Sequence, residues 1–374
     1  MKGILTLGLF CSGILLLAGC RNRNTDILNT DAVTVKMDIA RSGSPFIEAV
    51  SSMEVIPIET DDTHILGSNV GLCLLRDGFL LYDRRNMKVY RYSRDGRFLN
   101  EIGRRGNGPG EYLSLRNIQV IGDEIHVFSN PGTELIYSLD GNLLGQNKKV
   151  PIGFGVFRTE TGLLTYYGYS SPKKHKVVFT EETTGRESDY LPLDAKLLAL
   201  DLENDVFGQL PGGGVSIIDS YLPTIYQYKE NEVRPYLTFD FGKYSIRQAF
   251  YETGDPFESA EMLMAANYAV IGRYMEGPRY QLVQVNLFDQ KRGQGECRYG
   301  LNDGNKWVWF STSDYGLDDY DPFCCFHGEV LYGLFTAKNY MILNEVINGK
   351  KALAETVLKE CNPDNYVLAK IHLR

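Results

Sequence analysis

The residues best suited to proton transfer or metal ligation near neutral pH are five histidines, His64, His126, His175, His327 and His372, and no two of them lie at metal-ligand spacing. No Gly-x-Ser-x-Gly elbow occurs, and no spacing marks out a Ser-His-Asp set. Carboxylates crowd into Asp314, Asp318, Asp319 and Asp321. Calcium would take such oxygens, but the spacing is not that of an EF-hand loop and no bidentate Glu closes it, so a solvated acidic loop is expected. The sequence therefore predicts no catalytic residue, no metal and no cofactor.

Ligand contacts are the remaining chemistry. Gly103-Arg104-Arg105-Gly106-Asn107-Gly108-Pro109-Gly110 has the glycine content of a phosphate cradle, yet it runs from strand to strand instead of into a helix N-terminus. A structural turn is the expected role, with Arg104 and Arg105 as candidates for an anionic ligand because guanidinium groups bind carboxylates bidentately. Tyr166, Tyr167 and Tyr169 put aromatics on both sides of one stretch, either as inter-sheet packing or as an exposed platform for sugar rings or a protein partner. Cys73, Cys297, Cys324, Cys325 and Cys361 read as buried small hydrophobes, with at most one bridge.

The elements that must position these groups are hairpins. In Lys88-Val89-Tyr90-Arg91-Tyr92-Ser93 apolar and polar residues alternate, Arg94-Asp95-Gly96-Arg97 supplies a turn, and Phe98, Leu99 and Ile102 continue into a partner strand. The same order recurs around Asp140-Gly141, then at Gly185 after Val177 to Thr180, then at Glu230-Asn231 after Ile225 to Tyr228. The turns are 45, 44 and 46 residues apart. Several short strands at such a period are the signature of propeller blades. An all-β, six-bladed β-propeller is predicted over residues 45–374, its ring closed by the N-terminal strand at Val50 to Ile58. Small helical insertions are expected at about 244–269 and 338–359, the first because Asp255-Pro256 offers a cap followed by proline at the first helical position.

Residues 1–19 read as an export signal: Lys2 precedes the apolar run Ile4 to Leu17, which is shorter than the ~20 residues of a spanning helix. Leu17-Ala18-Gly19-Cys20 resembles the bacterial lipobox, which makes Cys20 the lipidation site and acyl chains the membrane contact. By resemblance to the sorting rules of Gram-negative lipoproteins, Arg21 in place of aspartate implies the outer membrane, and the basic, polar Arg21-Asn22-Arg23-Asn24, without the acidic run of surface-exported lipoproteins, leans toward a periplasm-facing protein. Residues 20–44 are polar and are expected to form a tether. A net charge of −8 and a pI near 5.3 argue against a nucleic-acid partner.

Gly106-x-Gly108-Pro109-Gly110-Glu111-Tyr112 resembles the signature of six-bladed β-propeller lipoproteins of gut Gram-negative bacteria, relatives of NHL-repeat propellers, and Asn362-Pro363 before the strand Tyr366 to Leu373 is similar to their ending. The resemblance implies the fold and an envelope address but no biochemical activity. The expectation is a monomeric, non-catalytic binding or scaffold module for an envelope protein or glycan. The rival is a propeller lyase or hydrolase acting on carbohydrate or peptide at the central channel.

Overall fold

The protein is seen in a computed structural model that describes residues 32–38, 45–68, 70–193, 197, 199, 205–290, 294–317, 321–348 and 361–374. The described chain opens with β1 (Val33–Lys36), a short helix α1 (Pro45–Ala49) and β2 (Val50–Pro57). Blade one is β3 (Val70–Leu74), β4 (Gly78–Asp83), β5 (Lys88–Ser93) and β6 (Phe98–Glu101), and the short pair β7 (Arg104–Arg105) and β8 (Glu111–Tyr112) leads out of it. Blade two is β9 (Asn117–Ile121), β10 (Glu124–Ser129), β11 (Thr133–Ser138) and β12 (Leu143–Asn147). Blade three is β13 (Gly155–Arg158), β14 (Gly162–Tyr166), β15 (His175–Glu181) and β16 (Glu187–Pro192). Blade four is β17 (Phe207–Gln209), β18 (Val215–Ile218), β19 (Thr224–Lys229) and β20 (Glu232–Asp240). Helix α2 (Pro256–Met264) precedes blade five, which is β21 (Tyr268–Glu276), β22 (Gln281–Asp289), β23 (Gln294–Asn302) and β24 (Trp307–Phe310). Blade six takes β25 (Phe323–His327) and β26 (Val330–Thr336), passes through α3 (Ala337–Asn348), and returns as β27 (Tyr366–Leu373).

A blade in a ring is covered by a neighbour on each face, so its middle strands must be apolar on both sides. All of β14 and β18 is buried, and so is β10 after its first residue. Within β5 the expected alternation is broken for this reason: Val89 is buried as completely as Tyr90 and Tyr92 on the opposite face. Outermost strands such as β16 keep the alternation because only their inner portion meets a neighbour. An apolar cluster lies at each of the six blade interfaces, from Leu80 and Ile102 against Ile118 and Val127 between blades one and two, round to Leu81 and Tyr92 against Leu334 and Leu368 between six and one. The interface between blades two and three is the leanest of these, with Phe128, Val150, Val156 and Leu163.

Closure is as the sequence predicts. β2 pairs antiparallel with the C-terminal strand β27, from Val50 opposite Leu373 to Pro57 opposite Val367, and forms the outermost strand of blade six. The hairpin turns record this equivalence. Gly96 of blade one packs on the carbonyl of Pro57, and Gly141 of blade two packs on the carbonyl of Glu101, so each turn docks on the outermost strand of the blade before it. Helix α1 adds Phe46, stacked on Phe310 at 4.8 Å in the core between blades five and six.

Two boundaries differ from the sequence reading, and a third is described only in part. Residues 33–36 fall inside the expected tether 20–44, yet β1 pairs parallel with β20, Val33 opposite Leu237 and Lys36 opposite Asp240. The open edge of β20 offers backbone partners, and Val35 is buried in the cluster between blades four and five. The insertion expected over 244–269 ends sooner, because β21 starts at Tyr268; its helix α2 is capped as expected, with Asp255 accepting from the backbone N–H of Phe257 at 2.7 Å. Of the excursion expected over 338–359, α3 accounts for residues up to Asn348, and 349–360 lie outside the described residues. The signal stretch 1–19 and Cys20 also lie outside them. Among the described residues no helix is long and apolar enough to cross a membrane.

Candidate functional site

The six innermost strands, β3, β9, β13, β17, β21 and β25, touch in cyclic order and surround an axis. Loops that join second to third strands, and each blade to the next, lie at one end of this axis by the alternation of strand direction. Four charged side chains converge there. Arg84 follows β4, Asp205 precedes β17, Arg273 lies on β21 and Asp321 precedes β25. Asp205 accepts from Arg84 Nη2 at 3.3 Å and from Arg273 Nε at 2.7 Å, and Arg273 Nη1 lies 2.8 Å from Asp321 Oδ2. Blades one and four are diametrically opposed in a ring of six, so the Arg84 to Asp205 contact spans the channel. These side chains are between 21% and 32% exposed, so each is mostly covered and partly open to the channel. Arg84 sits 5.3 Å over the Tyr82 ring, and a Cβ at Gly71 would fall 2.1 Å from that ring, so glycine on β3 admits the aromatic.

The two carboxylates are held in different states. Burial alone would raise Asp205, but Arg273 and Arg84 together hold it below the usual carboxylate range. Burial raises Asp321 above that range, against the pull of Arg273 and of the Tyr299 hydroxyl, which donates to Asp321 Oδ1 at 2.9 Å. Chemically the mouth presents alternating donors and acceptors to a polar ligand. Burial also pushes the thiols of Cys73 on β3 and Cys324 on β25 up to about 12. From an ordinary value of 9.0, that shift lowers the thiolate fraction about a thousandfold at pH 8. Iodoacetamide should therefore label both cysteines about three orders of magnitude more slowly in the folded chain than after denaturation, as followed by peptide mass spectrometry.

A family profile described as a domain of unknown function, DUF4934, matches residues 34–363. The chain belongs to this family. No curated protein matches the chain. Among solved structures, the DUF4934 chain is similar to a Bacteroides fragilis NCTC 9343 protein named for presumed export, at 18% identity and a TM-score of 0.71, covering 92% of this chain and 99% of that one. It is also similar to a member of the DUF4221 family from Bacteroides vulgatus ATCC 8482, at 10% identity and a TM-score of 0.50, covering 87% of this chain and 97% of that one. At these identities the likeness shows the propeller fold alone.

The residues singled out from the sequence of this DUF4934 propeller lie elsewhere. Arg104 is occupied by Glu111, its Nε at 2.6 Å, and the same carboxylate accepts from the backbone N–H of Gly108 at 2.7 Å. The glycine stretch is thus a self-closed turn between blades one and two, with Arg105 exposed on it. Tyr166, Tyr167 and Tyr169 form no exposed platform, being 1%, 8% and 4% exposed. Tyr169 donates at 2.6 Å to the buried Asp219, whose other oxygen accepts from the Tyr166 hydroxyl at 3.3 Å and lies 2.7 Å from Lys176 Nζ, so Tyr166 and Tyr169 brace blades three and four. The histidines stay apart: His64 stacks on Phe98, His126 meets Glu134, His175 faces Asp189 and His372 faces Glu54. Of the acidic run, Asp314 caps a turn by accepting from the Ser311 N–H, Asp321 joins the channel, and Asp318 and Asp319 lie outside the described residues. Among the described residues no cluster of His, Cys, Asp or Glu could hold a metal.

Sequence reasoning missed the channel row. Arg84 and Asp205 are 121 residues apart and Arg273 is 68 further on, so no local spacing announces them. The available signal was topological: charged residues immediately before or on an innermost strand, as with Asp205, Arg273 and Asp321, or just after a second strand, as with Arg84, once the blades are counted.

Proposed function

We propose that this propeller is a lipid-anchored envelope protein that binds a protein or glycan partner at the channel mouth without transforming it. The observation that carries this reading is the alternating row Arg84, Asp205, Arg273, Asp321, whose charges are matched to one another while a fifth to a third of each side chain remains open to water. Such groups exchange mutual contacts for those of a polar ligand, which is recognition chemistry. Cys20 carries the acyl chains, the outer membrane is the address and the ring faces the periplasm as a monomer, a reading supported by the lipobox-like Leu17-Ala18-Gly19-Cys20 and by the presumed export of the similar Bacteroides fragilis protein. Incorporation of an alkyne-tagged palmitate in the native host is expected, with complete loss in Cys20→Ala and a shift of the protein from the detergent phase to the aqueous phase.

A second reading is favoured by one specific feature. Environments that push two acids in opposite directions are how acid and base roles are divided, and Asp205 and Asp321 are pushed so. That arrangement suits a lyase or hydrolase acting on carbohydrate or peptide. Glycan-array binding and envelope pull-down with the lipidated chain, compared with Arg84→Met, separate the two. Binding that weakens in the variant, with no turnover of the bound compound, is the expected result. No partner, together with turnover that vanishes in Asp321→Asn, overturns it.

A further inference from the structure

A pocket of about 310 Å³ opens between blades six and one. It is lined by turns joining first to second and third to fourth strands, so it lies at the end of the ring opposite the channel mouth. The positively charged side chains at its wall are Arg76, Arg94 and Lys370, joined by His327, and among the described residues no carboxylate lines it. In a chain of net charge −8 this is a local reversal of sign. Arg94 is fixed by donating from Nη2 to the carbonyl of Arg76, and Lys370 Nζ lies 3.7 Å from the carboxylate of the exposed Glu54, its one carboxylate partner among the described residues. The remaining lining is apolar and comes from both sides of the seam, Leu74 and Phe79 from blade one, Tyr332 and Leu368 from blade six. Its volume is at the lower end of that of small-molecule sites.

We propose that this seam pocket binds a small organic anion: one carboxylate or phosphate group, met by Arg76, Arg94 and Lys370, carried on a compact apolar body that packs against Tyr332, Leu74 and Leu368. Guanidinium groups supply directed donors to either oxyanion, and the low count of internal carboxylate partners leaves those donors available. Because the ligand touches both the first and the last blade, its binding stabilises the closed ring over the unfolded chain.

Calorimetry on the full mature chain tests this with benzoate and phenyl phosphate as the two anionic probes, inorganic phosphate as the anion without a body, and benzyl alcohol as the body without a charge. At least one of benzoate and phenyl phosphate should bind at least tenfold more tightly than both controls and raise the melting midpoint; which of them does so distinguishes the carboxylate from the phosphate. Arg76→Gln with Arg94→Gln should weaken that binding roughly tenfold to a hundredfold, the size of lost charged hydrogen bonds. Arg76→Gln alone, an exposed side chain, keeps the comparison open should the double variant fold poorly, and it should weaken binding by at least a few fold. Equal binding of inorganic phosphate or of benzyl alcohol, unchanged binding in both variants, or no binding by either anionic probe overturns the proposal.

Discussion

Alanine at Gly96, Gly141 and Gly185 is expected to destabilise the ring in that descending order, although all three occupy the same place in a third-to-fourth-strand turn. Their backbones are alike, with φ of +82°, +80° and +69°, so each alanine carries a similar left-handed strain of about 1 to 2 kcal/mol. What separates them is the docking of the turn on the preceding blade. A Cβ at Gly185 meets nothing within 4 Å, at Gly141 it falls 2.7 Å from the carbonyl oxygen of Glu101, and at Gly96 it falls 1.9 Å from that of Pro57. Backbone oxygens cannot rotate away, so Gly96→Ala must push β2 off blade one or distort the turn itself. The expected losses are about 1 kcal/mol for Gly185→Ala, about 2 for Gly141→Ala and about 4 for Gly96→Ala, in the range of severe single substitutions. Urea midpoints at constant slope measure them. Equal losses at Gly96 and Gly185 would mean that the N-terminal strand does not latch the ring at this contact.

That contact also shows why closure was legible from the sequence and the channel was not. Each blade carries its own punctuation: Ser93-Arg94-Asp95-Gly96-Arg97 and Ser138-Leu139-Asp140-Gly141-Asn142 close with the same pair of backbone bonds, Gly96 N–H to Ser93 and Gly141 N–H to Ser138, at 3.0 and 2.9 Å. Local turn chemistry repeated at a fixed period fixes the count of sheets, and β2, the strand directly ahead of the first blade, completes the last sheet, which is otherwise one strand short. β1 has no such turn, only four residues whose partner β20 lies about two hundred positions on. The tyrosines failed as a platform for a different reason. Residue type reports that Tyr166 and Tyr169 want an apolar body and a polar tip, but the tip's partner, Asp219, belongs to the next blade and is invisible until the two blades are side by side. Arg104 could have been read correctly, because Glu111 sits seven residues away within the same glycine-rich stretch, where free amides attract a carboxylate.

Glu134→Gln is expected to remove about 3 kcal/mol at neutral pH, because the interface it serves has little else. Between blades two and three the apolar cluster is small, and buried polar groups do the joining. The Glu134 carboxylate is fully buried on β11 and receives the Arg158 side chain of β13 through both Nε and Nη2, with His126 Nδ1 at 2.8 Å. Arg158 is tied by its backbone as well, its N–H donating to Gln119 at 2.6 Å. Burial pushes the Glu134 carboxyl up, but the bonds from His126 and Arg158 and the charge of Arg158 hold it at about 2 against an ordinary 4.5. A depressed folded value means that the stabilisation is complete above pH 4.5 and is lost as the pH falls toward 2. The difference corresponds to about 3 kcal/mol, more than half of it gone by about pH 3. Denaturation of wild type and Glu134→Gln at pH 7 and pH 3 should therefore show a gap that narrows by about 2 kcal/mol, with the acid sensitivity of all other carboxylates cancelling in the comparison. Replacing both partners, Glu134→Leu with Arg158→Leu, should recover much of the loss, since an apolar pair avoids the desolvation that a single unpaired charge suffers. A gap below about 0.5 kcal/mol at pH 7, or one independent of pH, would show that blades two and three are held by their apolar contacts and that the buried ion pair is neutral to the ring.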